Sequence, residues 1–134
     1  MARVAESRER DAQRQMSEAL SQELAGQRTL AEHEKAMAQA RAMTSLDDVD
    51  DLLRCYQHAL RGETERRAHE STLVNLRRLV DERRAAVVAT MRARHIARNV
   101  ADQAARALEL ERDRKVQRAL DDASQRSNRP REVQ

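Results

Sequence analysis

The sequence predicts an all-α fold: a long antiparallel two-helix coiled-coil hairpin with an overhanging C-terminal helix. Three observations predict it. Helix breakers are nearly absent, with two Gly and one Pro in 134 residues. Charged residues make up 37%, and the apolar 40% is rich in Ala, with Leu, Val and Met at intervals; that is the composition of a coiled coil or long helix. Tyr56 is the single aromatic residue, whereas compact cores use Phe, Trp and Tyr to bury large areas. Disorder is the competing expectation for so polar a chain, and unbroken helix propensity argues against it. The chain reads as one coiled-coil domain, residues 1–134.

The first helix is expected over about residues 3–43. Ala12, Met16, Ala19, Gly26, Leu30, His33, Met37 and Ala40 recur at alternating three- and four-residue steps, with one gap at Glu23. This is a heptad seam of mainly small residues, which lets helix axes approach closely.

The stretch "MTSLDDVDDLL", Met43 to Leu53, punctuates the middle of the chain. Thr44 or Ser45 can cap a following helix, with Asp48 at the third helical position after Ser45. Asp47, Asp48, Asp50 and Asp51 crowd the first turns, where the helix dipole favours negative charge. These are start signals that a continuous rod would not need, so residues 44–45 are expected to form a tight turn.

The second helix is expected over about residues 46–126. Leu46, Val49, Leu53, Tyr56 and Leu60 form a seam that resumes at Leu73, Leu76, Val80 and Val87. It then drifts onto Ile96, Val100, Ala104 and Ala107 or Leu108, and closes with Val116, Leu120 and Ala123. Asp50–Arg54, Glu63–Arg67, Asp102–Arg106 and Glu111–Lys115 stand four apart with the acid first, the favourable order. Gly62, in "LRGETER", reads either as a hinge or second break, or as a residue inside an uninterrupted helix. Pro130 stops the helix, leaving residues 127–134 as a frayed tail.

At 1.5 Å per residue the two helices span roughly 60 and 120 Å. Folded back, the first covers the second only up to about residue 86 on this count. The remainder carries Val87, Ile96, Val100, Leu108, Val116 and Leu120 without an intramolecular partner, and a lone helix with an apolar stripe is not stable in water.

Several function classes are disfavoured. Net charge is +3 with acids and bases interleaved, the pattern of a solvated helix face. Nucleic-acid binding needs uncancelled positive charge and, for single strands, stacking aromatics. No apolar run approaches bilayer length, so direct membrane insertion is not expected, and "MARVAESRERD" carries no targeting pattern. The lone Cys55 fits a reducing cytoplasm. His33, His58, His69 and His95 make no i, i+4 zinc pair, so solvated or seam positions are expected. With no Gly-rich phosphate loop, no nucleophilic triad and no deep pocket in a slender hairpin, neither an enzyme nor a cofactor is expected. The basic stretches "RAAVVATMRARHIAR" and "ERDRKVQR" read as a solvated face or as docking sites for acidic protein surfaces.

"YQHAL" early in the second helix, "LVDERRAAVVATMRAR" in its middle and "ERDRKVQRALDDASQR" near its end carry a resemblance. They resemble the central-stalk family of type III secretion systems, the flagellar FliJ and virulence-type YscO-like proteins. The resemblance spans most of the chain, and the last segment, a basic run leading into Leu-Asp-Asp, is its most specific part. The Ala- and Arg-rich composition, short first helix and lack of Phe and Trp depart from the family, so flagellar and virulence systems stay equally open.

The resemblance implies a cytoplasmic coiled coil at the base of a membrane-embedded secretion apparatus, similar to the shaft of a rotary ATPase. It would insert in the pore of a hexameric secretion ATPase and link that ring to the cytoplasmic domain of the export gate; some members also handle export chaperones. Arg106, Arg112, Arg114, Lys115 and Arg118 are the implied ring contacts, pairing with acidic pore residues. Leu53, Tyr56, Ala59 and Leu60 are the implied gate contacts, although Leu53, Tyr56 and Leu60 also suit the hairpin seam. The alternative reading is a homo-oligomeric structural coiled coil, in which the overhangs of two chains bury each other.

Overall fold

The computed structural model describes residues 2–45 and 47–127 and contains two helices, α1 (Ala2–Ala42) and α2 (Val49–Ser127). They pack side by side as an antiparallel hairpin, so the all-α helical hairpin read from the sequence is the fold. No described helix is long and apolar enough to cross a membrane. Leu46 and the tail 128–134 lie outside the described residues.

The connection is longer than the expected two-residue turn, and α2 begins at Val49. Ser45 donates its hydroxyl to the Asp47 carboxylate instead of capping a helix. The first bond of α2 runs from the Leu52 amide to the Asp48 carbonyl, 3.0 Å, so Asp48 stands at the cap, followed by Asp50 and Asp51 in the first turn. At the end of α1 the orphan carbonyls find local partners. The Met43 amide reaches the Gln39 carbonyl at 3.1 Å, and the Thr44 hydroxyl donates to the Ala40 carbonyl at 2.7 Å.

The seam of α1 follows the expected heptad and is longer. Buried or half-buried positions run Ala5, Glu9, Ala12, Met16, Ala19, Glu23, Gly26, Leu30, His33, Met37 and Ala40. The gap at Glu23 is filled by the side chain itself, whose stem packs inward while its carboxylate faces Arg77 Nε at 3.5 Å.

On α2 the seam holds where expected at Leu73, Leu76, Val80 and Val87, but differs on either side. Towards the connection it runs through Cys55, Ala59 and Gly62, and Val49, Leu53, Tyr56 and Leu60 point outward. Beyond Val87 it passes through Thr90, Arg94 and Ala97 rather than Ile96 and Val100.

Size complementarity explains the choice. Along most of the hairpin, small α1 residues (Ala12, Ala19, Gly26) accept Leu73, Leu76, Val80 and Val87 from α2; a β-carbon on Gly26 would stand 2.9 Å from Leu76 Cδ1. Near the connection the roles reverse, with Met37 on α1 packed against Gly62 on α2. Gly62 is therefore neither hinge nor break: α2 continues through it, and the missing side chain makes room for Met37.

Register is read from the polar pairs across the seam. His33 Nε2 donates to the Gly62 carbonyl at 2.8 Å, Arg83 Nη1 donates to Gln15 Oε1 at 2.6 Å, and Arg94 Nη1 meets Glu9 Oε2 at 2.8 Å. Half-burial persists to Ala97, about three turns beyond the limit expected from lengths. The long connection causes the shift. Extending the register carries the end of α1 to the level of Tyr56–His58, so the first two turns of α2 project past it.

Candidate functional site: the two ends of the hairpin

The projecting turns of α2 build an apolar surface at the closed end. Leu53, Tyr56 and Leu60 are 57%, 62% and 51% exposed, which removes the seam reading for all three. Ala59, the fourth implied gate contact, is half-buried on the seam. An open groove of about 840 Å³ lies beside them, its floor including Met37, Ala40, Cys55 and Ala59 and its rim Val49, Leu52, Leu53 and Tyr56. Val49 and Leu52 belong to this surface and were not singled out as contacts. The adjacent pair Leu52–Leu53 carried the signal, because neighbouring residues sit about 100° apart on a helix and cannot both occupy one seam.

Above the groove, an acid–base fan braces α2. Arg66 donates to both carboxylate oxygens of Glu63, at 2.9 and 3.0 Å, and reaches Glu70 in the other direction. Arg67 joins at 3.2 Å, forming the expected Glu63–Arg67 pair. The hydrogen bond from Arg66 holds the Glu63 carboxyl down at about 2, and the same bond raises the Arg66 guanidinium above its ordinary range. Arg54 pairs with Asp51 at 3.9 Å rather than with Asp50. Neither Asp102–Arg106 nor Glu111–Lys115 is an ion pair among the described residues.

His33 and His69 meet on the seam with ring centroids 5.3 Å apart, a proximity across the hairpin that spacing along one helix could not reveal. His33 is fixed by the Gly62 carbonyl and faces Glu65 through Nδ1 at 3.6 Å. His58 and His95 are exposed. Among the described residues no group of three His, Cys, Asp or Glu side chains could hold a metal ion.

At the open end, the Glu9–Arg94 bond closes the hairpin. The Glu9 side chain is 9% exposed and that of Arg94 34%, with Gln13 bonding the other Glu9 oxygen at 3.3 Å. Beyond Ala97, residues 98–127 form roughly 45 Å of helix exposed on every side. The implied ring contacts Arg106, Arg112, Arg114, Lys115 and Arg118 all lie on it, all exposed and none in an ion pair among the described residues. At 100° per residue, Arg112, Arg114, Lys115 and Arg118 fan over about 160° of the helix, while Arg106 projects from the opposite side. The apolar residues do not hold one stripe either: Val116 and Leu120 lie on the far side from Ile96, Val100 and Leu110.

No protein-family model, curated protein or solved structure matches the chain.

Proposed function

We propose that the chain is a non-enzymatic central stalk of a type III secretion export apparatus, flagellar or virulence-type. The overhang of α2 inserts in the pore of a hexameric secretion ATPase, and the closed end meets the cytoplasmic domain of the export gate. In this reading the protein works in the cytoplasm at the base of the membrane-embedded apparatus, where export chaperones are further partners. The observation that carries the reading is the asymmetry of the hairpin. One helix outruns the other by residues 98–127, and that overhang is a single, fully exposed helix bearing seven cations outside any described ion pair, the five implied ring contacts among them. A slender helix of this kind suits a shaft enclosed by a ring. The outward Leu53, Tyr56 and Leu60 support a second contact at the opposite end.

The test is an ATPase titration. Added to a purified hexameric secretion ATPase, the chain is expected to raise the rate of ATP hydrolysis. Reversing charge at Arg114, Lys115 and Arg118 together is expected to abolish the rise while leaving the hairpin folded. An unchanged rate with the wild-type chain would refute the stalk reading.

A homo-oligomeric structural coiled coil is the second reading. It is favoured by the exposed apolar residues of the unpaired helix, since burial of one side of it between two chains, Val100 with Leu110 or Val116 with Leu120, would stabilise both.

A further inference from the structure

The middle of α2 carries two heptad seams. The first, through Val87, Thr90, Arg94 and Ala97, packs on α1. The second stands one residue earlier at each step: Ala86, Ala89, Ala93 and Ile96, all exposed. A one-residue offset is roughly 100° around the helix, so this face looks out beside α1. It continues past the end of α1 through Val100, Ala107 and Leu110 in the same three–four alternation, interrupted by Gln103. Where it runs alongside α1 it forms a groove of about 610 Å³, floored by Ala5, Ala89, Ala93 and Ala97 and edged by Val4 and Arg8. Small floor residues allow a third helix axis to approach closely, and Ile96, Val100 and Leu110 supply the knobs beyond.

The charges bordering this seam select its occupant. Arg8 edges the groove, and Arg92 and Arg106 each precede a seam position, where a coiled coil places its flanking charges. None of the three is in an ion pair among the described residues. On the opposite flank Thr90, Ala97 and Ala104 are uncharged, and one acid, Glu111, follows Leu110 at the end of the seam. We infer that the second seam of α2, from Ala86 to Leu110, docks an amphipathic helix of a partner protein whose apolar stripe is flanked by acidic residues, completing a three-helix bundle at the foot of α1. A second copy in central antiparallel register would set Arg92 against Arg106 of its partner, two like charges, which disfavours self-pairing here. The inference is separate from the stalk reading at Ala86–Ala97, Arg8 and Arg92, and shares Arg106 and residues 98–110 with it, where a docked helix and an enclosing ring would exclude each other.

The probe is a fluorescein-labelled synthetic peptide of four heptads, with Leu and Ala at its seam positions and Glu flanking them, and a matched peptide with Lys in place of Glu. Fluorescence anisotropy on the full chain is expected to show saturable binding of the Glu peptide, weakening with salt, and about tenfold weaker binding of the Lys peptide. Val100→Asp should reduce binding about tenfold or more, and Val116→Asp, off the seam, should leave it unchanged, both variants keeping wild-type helicity by circular dichroism. Arg8→Glu with Arg92→Glu should reverse the preference between the two peptides. Absence of binding, equal binding of the two peptides, or equal loss in Val100→Asp and Val116→Asp would each overturn the inference. So would concentration-dependent dimerisation abolished by Val100→Asp, which would give the seam to a second copy.

Discussion

Met37 fills the space that Gly62 leaves open: a β-carbon on Gly62 would stand 2.1 Å from Met37 Cε and 2.2 Å from its Sδ. This contact brings the helices close enough for His33 to reach the Gly62 carbonyl at 2.8 Å, and it fixes register next to the connection.

Substitutions at Gly62 should therefore depend on Met37. In Gly62→Ala the flexible thioether end can swing into the adjoining groove, and the gain in helix propensity, about 1 kcal/mol, offsets the lost packing. Thermal unfolding is expected to shift little. Gly62→Leu cannot be accommodated this way and should cost about 1–3 kcal/mol. Pairing it with Met37→Ala should restore most of the loss. Equal destabilisation of the single and double variants would mean that the contact does not set the spacing.

Arg94→Ala removes the main partner of the nearly buried Glu9 carboxylate and leaves it with Gln13 alone. A loss of stability is expected, smaller than for a fully buried pair because Arg94 is one-third exposed. Hydrogen exchange should localise the loosening to the open end, with amides near Gly62 keeping their protection. Uniform loss along the hairpin would contradict the assignment of Glu9–Arg94 as a local clamp.

Tyr56→Ala tests the closed-end surface. The ring is 62% exposed and off the seam, so the melting temperature should stay within about 2 °C of wild type, a surface change of under ~0.5 kcal/mol. Under the stalk reading, export should fall in cells carrying the variant. Normal export would remove Tyr56 from the gate contact.

Acid should loosen the fan around Arg66. The Glu63 carboxyl is held at about 2, below its ordinary value of 4.5, so its contribution is present above pH 4.5 and is lost as pH falls from there towards 2. Helicity by circular dichroism is expected to hold from pH 7 to 5 and to begin falling below 4.5. The group is exposed, so the effect should be small and reduced by 1 M salt. Glu63→Gln should remove this part of the acid response; a profile unchanged by the substitution would contradict it.

The helices and the α1 seam were legible because heptad spacing needs only local sequence: Ala12 to Ala40 were read in the right register. Leu73, Leu76, Val80 and Val87 were legible for the same reason. What failed was the assumption that the largest apolar residues mark the seam. Leu53, Tyr56 and Leu60 are larger than Cys55, Ala59 and Gly62, yet the close approach of the helices at Met37 selects the small ones. That selection depends on the size of the residue facing across the hairpin, which periodicity on one strand of sequence does not carry. The limit of coverage near residue 86 failed because counting residues from a two-residue turn omitted the six-residue connection and the projecting turns of α2. The second seam was hidden because Ala86, Ala89 and Ala93 adjoin Val87, Thr90 and Arg94 in the stretch "RAAVVATMRARHIAR", whose arginines make it read as one basic face rather than as two seams.

The central claim is that one hairpin serves as a shaft in a six-fold ring, and the mass of the complex tests it most directly. Native mass spectrometry of the chain mixed with the hexameric secretion ATPase should give one chain per six ATPase subunits, and that species should disappear when residues 98–127 are deleted. A complex with one chain bound to every subunit, or a one-to-six complex that survives the deletion, would contradict the account.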